Sequence, residues 1–187
     1  MLFRSNISSQ IVLKLIAERM HLNRAVVMFQ KELARRLIAP PGSKTYGRIS
    51  VMIQYCASVR TIATIPSTVF FPKPQVDSAV IEIDFAENDR HSGDDAHLFS
   101  VVKAAFSKRR KTLKNALVAS ELQLDPGIIQ TALDAAGIDG QRRAETLSPV
   151  LWVSKQLGRW SRDGDRGHRV DPGFGSGALR MLSTVRK

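Results

Sequence analysis

Two phenylalanines and two prolines stand directly in front of a strand-like segment, and rings held there could stack on a flat base. Phe70 and Phe71 precede Pro72 and Pro74 in TVFFPKPQVDSAVIEIDF. Because proline cannot donate to a β-ladder, the spacing predicts a stiff, extended loop at the edge of a sheet, where open α/β folds carry their sites. Neighbouring residues of an extended segment point to opposite sides. We therefore expect at least one ring to be an ordinary core aromatic, and one to face a cleft.

A dense group of cations provides a second candidate site. Six basic residues with no acid between them lie in KAAFSKRRKTLKNAL: Lys103, Lys108, Arg109, Arg110, Lys111 and Lys114. On a helix these side chains would fan across the solvent side, close enough to contact several backbone phosphates. A solvated helix face is the alternative. Because repulsion between like charges costs stability unless something offsets it, the pattern favours contact with RNA or DNA.

Two glycine-rich stretches imitate nucleotide-binding motifs. PGSKT resembles the end of a phosphate-binding loop, but the earlier glycine of that motif would fall at Leu37. GFGSGA, residues 173–178, satisfies G-x-G-x-x-G/A, yet GDRGHRVD before it has one valine where the motif needs a buried strand. We interpret both as chance matches, with a permuted cofactor site at the second as the alternative. The single cysteine, Cys56, and the scattered histidines have no metal-ligand spacing, so no metal site is predicted.

The elements that would position these residues follow from apolar periodicity. The pattern predicts an amphipathic helix over residues 8–20, a buried strand at RAVVMFQ and a helix at KELARRLIA. ISVMIQYCA fits helix or strand, although its apolar residues share one helical face; VRTIATI is strand-like, and residues 76–85 alternate as a strand with one buried face. This order is typical of the second half of an α/β sheet whose first half is absent.

Composition predicts the domain organisation. Residues 1–85 form the α/β part, and the polar stretch 86–96, AENDRHSGDDA, is interpreted as a linker. Residues 97–157 are predicted to form a small all-helical domain whose apolar stripe breaks near Ser107. Residues 158–187 contain six of the twelve glycines and few large apolar residues, so we expect an unpacked tail.

Charge and hydropathy restrict the partners and the compartment. The 187 residues carry a net charge of +11, with a sequence pI near 10.4, which favours a polyanionic partner. No apolar run is long enough to span a membrane, and the amino terminus lacks a secretory pattern. A single cysteine agrees with a reducing cytosol. We expect a cytoplasmic protein without a membrane partner.

Four segments in order resemble one family. MFQKELARRLIAPPGSKTYGRISVMIQYCASV, FFPKPQVDSAV, FSKRRKTLKNAL and RAETLS are similar to the bacterial small-subunit ribosomal RNA adenine dimethyltransferases, and the resemblance runs from about residue 6 to residue 148. The F-x-P-x-P-x-V-x-S pattern alone would also admit the erythromycin-resistance methyltransferases, which act on large-subunit RNA. RRKTLKNAL and RAETLS favour the small-subunit enzymes.

The resemblance implies a fold, a reaction and site residues. It implies a Rossmann-like methyltransferase domain followed by a small helical domain, and transfer of methyl groups from S-adenosylmethionine to two adjacent adenines of small-subunit RNA during ribosome assembly. Phe70 matches the family's phenylalanine that stacks on the target base, and residues 108–114 match the RNA-contacting region. The implied partners are small-subunit ribosomal RNA and the assembling subunit, with the protein a monomer.

The chain departs from the family pattern at both ends. N-[LI]-P-Y is expected just before Asn6, but residues 2–5 read LFRS, and the upstream strands and glycine loop for S-adenosylmethionine are missing. After Ser148 the sequence no longer follows the family. We therefore expect a carboxy-terminal fragment that retains no cofactor-binding residues, is inactive alone and is weakly stable or prone to aggregate, because it exposes an unpaired sheet edge. The alternative is a non-catalytic RNA-binding or ribosome-assembly module.

Overall fold

The computed structural model describes residues 5–86 and 95–153. The chain divides into two units, Met1–Arg90 and His91–Lys187; the first contains a sheet with helices, and the described part of the second contains helices. The division falls within residues 86–96, whose role as a linker stays a prediction. The predicted glycine-rich tail, and the G-x-G-x-x-A match within it, lie outside the described residues.

A three-stranded sheet organises the first unit. The strands are β1 (Arg24–Gln30), β2 (Ser58–Ile65) and β3 (Ser78–Asp84), in the order β1-β3-β2. β3 runs antiparallel to both neighbours, so β1 and β2 are parallel to each other. The order helix, strand, two helices, strand, strand is the predicted one, and the α/β fold class is confirmed.

Three helices form the rest of this unit: α1 (Ser5–Ala17), α2 (Lys31–Leu37) and α3 (Arg48–Cys56). The ambiguous ISVMIQYCA segment is therefore helical. Val12 and Ile16 of α1, with Ile53 of α3, are at most 2% exposed, as are Ile81 and Ile83 of β3. Burial of these side chains on one face of the sheet stabilises the unit, at roughly 1.5–3 kcal/mol for each large aliphatic side chain.

The opposite face of the sheet is much less covered. Val26 and Met28 of β1 are 58% and 49% exposed, so the prediction of a buried strand at RAVVMFQ was wrong for this face. The physical reason is that the large apolar side chains buried in this unit, such as Phe29, Ile81 and Ile83, lie on the other face of the sheet. The expectation of weak stability or aggregation stays a prediction.

The described part of the second unit is helical: α4 (Asp95–Ala105), α5 (Leu113–Val118), α6 (Pro126–Ala135) and α7 (Pro149–Val153). Val102, Leu113, Leu133 and Leu147 are at most 1% exposed, and the ring of Trp152 lies 6.2 Å from that of Phe106, centroid to centroid. Helix α4 contacts α5 and α7, while α5 contacts α6. These contacts form one small helical core.

The described residues contain neither a membrane-spanning helix nor a cluster of metal ligands. No helix among them is both long and apolar enough to cross a bilayer. Within residues 5–86 and 95–153, no three side chains of the metal-binding types come together as a metal site.

Candidate functional site

The carboxyl ends of β1 and β2 meet at one edge of the sheet. Gln30, the last residue of β1, and Ile65, the last residue of β2, both pair with Ser78 at the start of β3. The connection from β2 to β3, residues 66–77, therefore begins and ends at this edge. In open α/β sheets, ligands bind outside the carboxyl ends of the strands. The aromatic loop predicted from the sequence is thus located where such folds place their sites.

The aromatic loop, residues 66–77, is closed by Asp77. The carboxylate of Asp77 accepts the backbone N–H of Ser67 at 3.1 Å and the ammonium of Lys31 at 3.0 Å. The backbone carbonyl of Asp77 also accepts the Lys31 N–H at 3.0 Å. The hydrogen bond from Lys31, followed by that from Ser67, lowers the pKa of the Asp77 carboxyl. Asp77 therefore connects both ends of the aromatic loop to the first turn of α2.

Phe70 and Phe71 lie in the aromatic loop after a 3-10 turn at Ser67–Val69. Phe71 is fully exposed and Phe70 is half-buried. Neither ring is among the buried side chains of the unit, so the expectation that at least one of them is a core aromatic was wrong; both lie in a loop outside the helices and strands. Phe71 is therefore fully accessible to a ligand at this edge, and Phe70 is partly accessible. The Phe71–Pro72 peptide bond is cis.

The six predicted cations do not share one helix. Lys103 lies on α4 and Lys114 on α5, whereas residues 108–111, here called the basic loop, connect the two helices and are exposed. These side chains therefore do not fan across one helix, as the pattern indicated, although a break in the helical stripe near Ser107 was predicted. The break has a local cause: α4 ends at Ala105, and the Thr112 hydroxyl accepts the Asn115 N–H at 3.4 Å as the cap of a new helix.

Ion pairs separate these cations into two groups. The ammonium of Lys103 lies 2.9 Å from the Glu121 carboxylate, and Arg109 lies 3.8 Å from that of Glu145. Four others have no carboxylate within 4 Å among the described residues: Lys108, Arg110, Lys111 and Lys114. The unpaired charges make this surface of the second unit suited to a polyanion.

Backbone hydrogen bonds to residues 140 and 142 fix the residues that directly follow the basic loop. The backbone amides of Leu113 and Lys114, which follow the loop, donate to the carbonyls of Arg142 at 2.7 Å and Gly140 at 3.1 Å. A Cβ added at Gly140 would lie 3.2 Å from the Cβ of Lys114. The close approach of these two backbones therefore depends on the absence of a side chain at position 140.

Three residues near the aromatic loop were not singled out by sequence reasoning. Asp77 was interpreted only as a position on the buried face of a strand, and Gln30 and Arg35 were not considered. Nothing in the local pattern connects residues 30–35 with residue 77, because the contact between them spans 46 residues. Of the site residues predicted from the sequence, Phe70 lies in the first unit and the six cations lie in the second.

The described residues do not fit a cradle for S-adenosylmethionine. Five glycines lie among them, at positions 42, 47, 127, 137 and 140, and none has the G-x-G spacing that lets a backbone approach a nucleotide closely. Cys56 cannot serve as a ready nucleophile either, since burial raises the pKa of its thiol to about 11. We therefore assign no cofactor contact and no covalent chemistry to these residues.

Comparison with known proteins gives consistent results. The family model described as ribosomal RNA adenine dimethylase matches residues 4–155. A protein of Desulforapulum autotrophicum named ribosomal RNA small subunit methyltransferase A is 50% identical over 160 residues, covering 85% of this chain and 56% of that protein. Its namesake in Syntrophotalea carbinolica is 48% identical over 144 residues, covering 76% and 54%.

Solved structures agree on the fold. A dimethyladenosine transferase from Plasmodium falciparum superposes with a TM-score of 0.71 at 23% identity, covering 84% of this chain and 64% of that one. The 23S rRNA methyltransferase ErmE gives a TM-score of 0.57 at 23% identity, covering 80% and 59%. The chain spans about half the length of the curated relatives it matches.

Proposed function

Because the chain belongs to the ribosomal RNA adenine dimethylase family, we propose that it is part of an enzyme that dimethylates two adjacent adenines of small-subunit ribosomal RNA. The methyl donor would be S-adenosylmethionine, and the enzyme would act as a cytoplasmic monomer on the assembling small subunit. The observation that carries the proposal is the aromatic loop, which Asp77 and Lys31 hold at the carboxyl edge of the sheet with Phe71 fully and Phe70 partly accessible.

Phe70 is proposed to stack on the target base. An exocyclic amine is a poor nucleophile because its lone pair is delocalised into the ring, so the enzyme must hold that amine in line with the methyl group it receives. A base that leaves its stack loses the stabilisation of base stacking, and an aromatic side chain restores part of it. Stacking on one aromatic side chain contributes about 1–3 kcal/mol per base. The anchored ends of the aromatic loop limit the movement of this platform.

The basic loop and its neighbours are proposed to bind the phosphate backbone of ribosomal RNA. Six residues are assigned this role: Lys103, Lys108, Arg109, Arg110, Lys111 and Lys114. Contacts with phosphates supply affinity and orientation but carry no sequence information. The choice of adenine would therefore be made in the first unit, while the second unit docks the RNA.

We expect the isolated chain neither to bind S-adenosylmethionine nor to methylate RNA. The described residues offer no glycine-rich cradle, and the chain spans about half of its curated relatives. Methyl transfer from labelled S-adenosylmethionine to small-subunit RNA by the purified chain would contradict this expectation.

A chimera tests the proposed reaction. Residues 6–148 would replace the matching segment of the Desulforapulum relative, and methyl transfer to small-subunit RNA would be measured. We expect the chimera to be active and Phe70→Ala to reduce kcat/KM by about 5- to 150-fold, the range that corresponds to the loss of one stacked base. Phe71→Ala is the matched control with a smaller effect. Equal activity of Phe70→Ala and the parent chimera would refute the role of Phe70.

A second candidate function is a non-catalytic RNA-binding or ribosome-assembly module. The unpaired cations around the basic loop favour it, because they need no cofactor to act. The two functions respond differently to substitution. A pure binding module loses RNA affinity chiefly when Arg109, Arg110 and Lys111 become alanine, and Phe70→Ala has little effect; the enzyme loses methylation on Phe70→Ala but retains much of its salt-dependent binding.

A further inference from the structure

A cleft of about 320 Å³ opens beside the aromatic loop at the carboxyl edge of the sheet. One wall is formed by the end of β1 and the first turns of α2, and the other by the last residues of the aromatic loop. The lining residues are Gln30, Lys31, Glu32, Arg35, Gln75, Val76 and Asp77. This volume is at the lower end of the range for small-molecule sites, a size that suits one nucleotide.

The charged groups of the cleft carry one net positive charge once Glu32 is counted with its partner Arg36, which does not line the cleft. The carboxylate of Asp77 pairs with the ammonium of Lys31, and Arg35 also contributes to lowering the pKa of that carboxyl, so two cations share one carboxylate. Among the described residues, Arg35 makes no ion pair within 4 Å and no hydrogen bond through its side chain. Its guanidinium can therefore approach one phosphate group.

Two side-chain amides of the cleft can also bind a ligand. The side-chain amides of Gln30 and Gln75 form no hydrogen bond within the described residues, and they come from opposite walls. A carboxamide offers both a donor and an acceptor, the pair that complements the N6 and N7 atoms of adenine. One net positive charge together with two carboxamides that make no hydrogen bond among the described residues is a set suited to a phosphate with its attached base.

We propose that this cleft binds the nucleotide adjacent to the adenine stacked on Phe70, with Arg35 on its phosphate and the two glutamines at its base edge. The inference rests on the proposed function, and it adds a subsite for the second of the two neighbouring nucleotides. Because residues 66–77 carry both Phe70 and Gln75, a single anchored loop would position both bases relative to each other.

The test compares the dinucleotide ApA with adenosine, using the full chain and nuclear magnetic resonance. ApA should shift the side-chain amide signals of Gln30 and Gln75, and adenosine alone should shift the ring signals of Phe70. Arg35→Gln should weaken ApA binding about fivefold without changing adenosine binding, as for the loss of one exposed charge-assisted contact. Arg48→Gln, at an exposed arginine of α3 that does not line the cleft, is the matched control and should change ApA binding by less than about twofold.

A second probe isolates the phosphate. An ApA analogue with an uncharged methylphosphonate linkage should bind the parent chain and Arg35→Gln equally well. The subsite is overturned if Arg35→Gln and Arg48→Gln weaken ApA binding equally, if the glutamine signals do not respond to ApA, or if ApA does not bind. Phe70 signals that respond to adenosine would in those cases leave the proposed function standing. Glutamine shifts with an unperturbed Phe70 ring would instead contradict the stacking role and retain the cleft as a nucleotide site.

Discussion

Removing one cation of the basic loop should flatten the salt dependence of RNA binding. Lys111→Ala removes a charge that has no carboxylate partner among the described residues. Lys103→Ala is the matched control, because its ammonium already lies 2.9 Å from the carboxylate of Glu121. A cation that is paired before binding must give up that partner to release a counterion from RNA, so it contributes less to the salt slope.

The number of unpaired cations gives the magnitude. Each phosphate contact contributes about 0.7 (single strand) to 0.9 (duplex) to the slope of log affinity against log salt concentration. If all four unpaired cations touch phosphates, affinity should fall by about 50- to 150-fold between roughly 50 and 200 mM salt. Lys111→Ala should lower the slope by about 0.7–0.9, so its affinity falls about threefold less over the same interval. Lys103→Ala should change the slope by less than about half of the change expected for Lys111→Ala.

Fluorescence anisotropy with a labelled small-subunit RNA hairpin measures the slope at several salt concentrations. Both substituted side chains are exposed, and circular dichroism checks that the variants keep the helical content of the parent. An unchanged slope for Lys111→Ala would show that the basic loop does not touch phosphates. A slope change for Lys103→Ala as large as that for Lys111→Ala would refute the argument that ion pairing within the unit reduces a cation's contribution to RNA binding.

Three further predictions concern stability and ionisation. Gly140→Ala should lower the free energy of unfolding by about 1–3 kcal/mol in a urea titration, because the new Cβ would lie 3.1–3.2 Å from Leu133 and Lys114; an unaltered midpoint would contradict the close contact. Burial raises the pKa of Cys56 from 9.0 to about 11, so stability should fall as the pH rises through that interval, where the unfolded thiol ionises first; Cys56→Ala should remove the fall below about pH 10 and reduce it above, where Tyr46, whose pKa burial raises from 10.0 to about 12, contributes as well. The pKa of Asp77 is lowered by Lys31, so the aromatic loop should be anchored above the ordinary aspartate value and released as the pH falls through the lowered value; Ser67 amide exchange that does not accelerate on acidification would count against this.

Local sequence patterns were sufficient to predict most of the helices and strands. Apolar periodicity located all three strands and identified α2, because a residue's position on a helix or strand face depends on its near neighbours; for α3 it left helix and strand both open. The predicted break near Ser107 was also confirmed. The same reasoning failed for the cations of residues 108–111, which were interpreted as helical because of the stripe on either side. A Thr112 cap separates two helices there.

Burial was less predictable than secondary structure. Val26 and Met28 have the apolar character of a buried strand, yet their face of the sheet is about half exposed in the first unit. Glu82, in contrast, has a polar side chain on a face expected to be exposed but is only 8% exposed, because Arg60 reaches its carboxylate at 2.8 Å and Arg24 approaches it at 3.6 Å from the other side. Burial depends on which strands become neighbours, and strand order is not encoded in any single segment.

By itself, the sequence determined the elements, the aromatic and basic segments, and the family motifs, since each depends on residues close together in the chain. Only the tertiary structure decided that Asp77 closes the aromatic loop against Lys31, and that Arg35 and two glutamines share one cleft. It also decided which cations are already paired. The physical reason is that ion pairs and clefts form between residues that folding brings together, here 46 positions apart in the chain. The spacing of residues within one segment cannot predict such a contact.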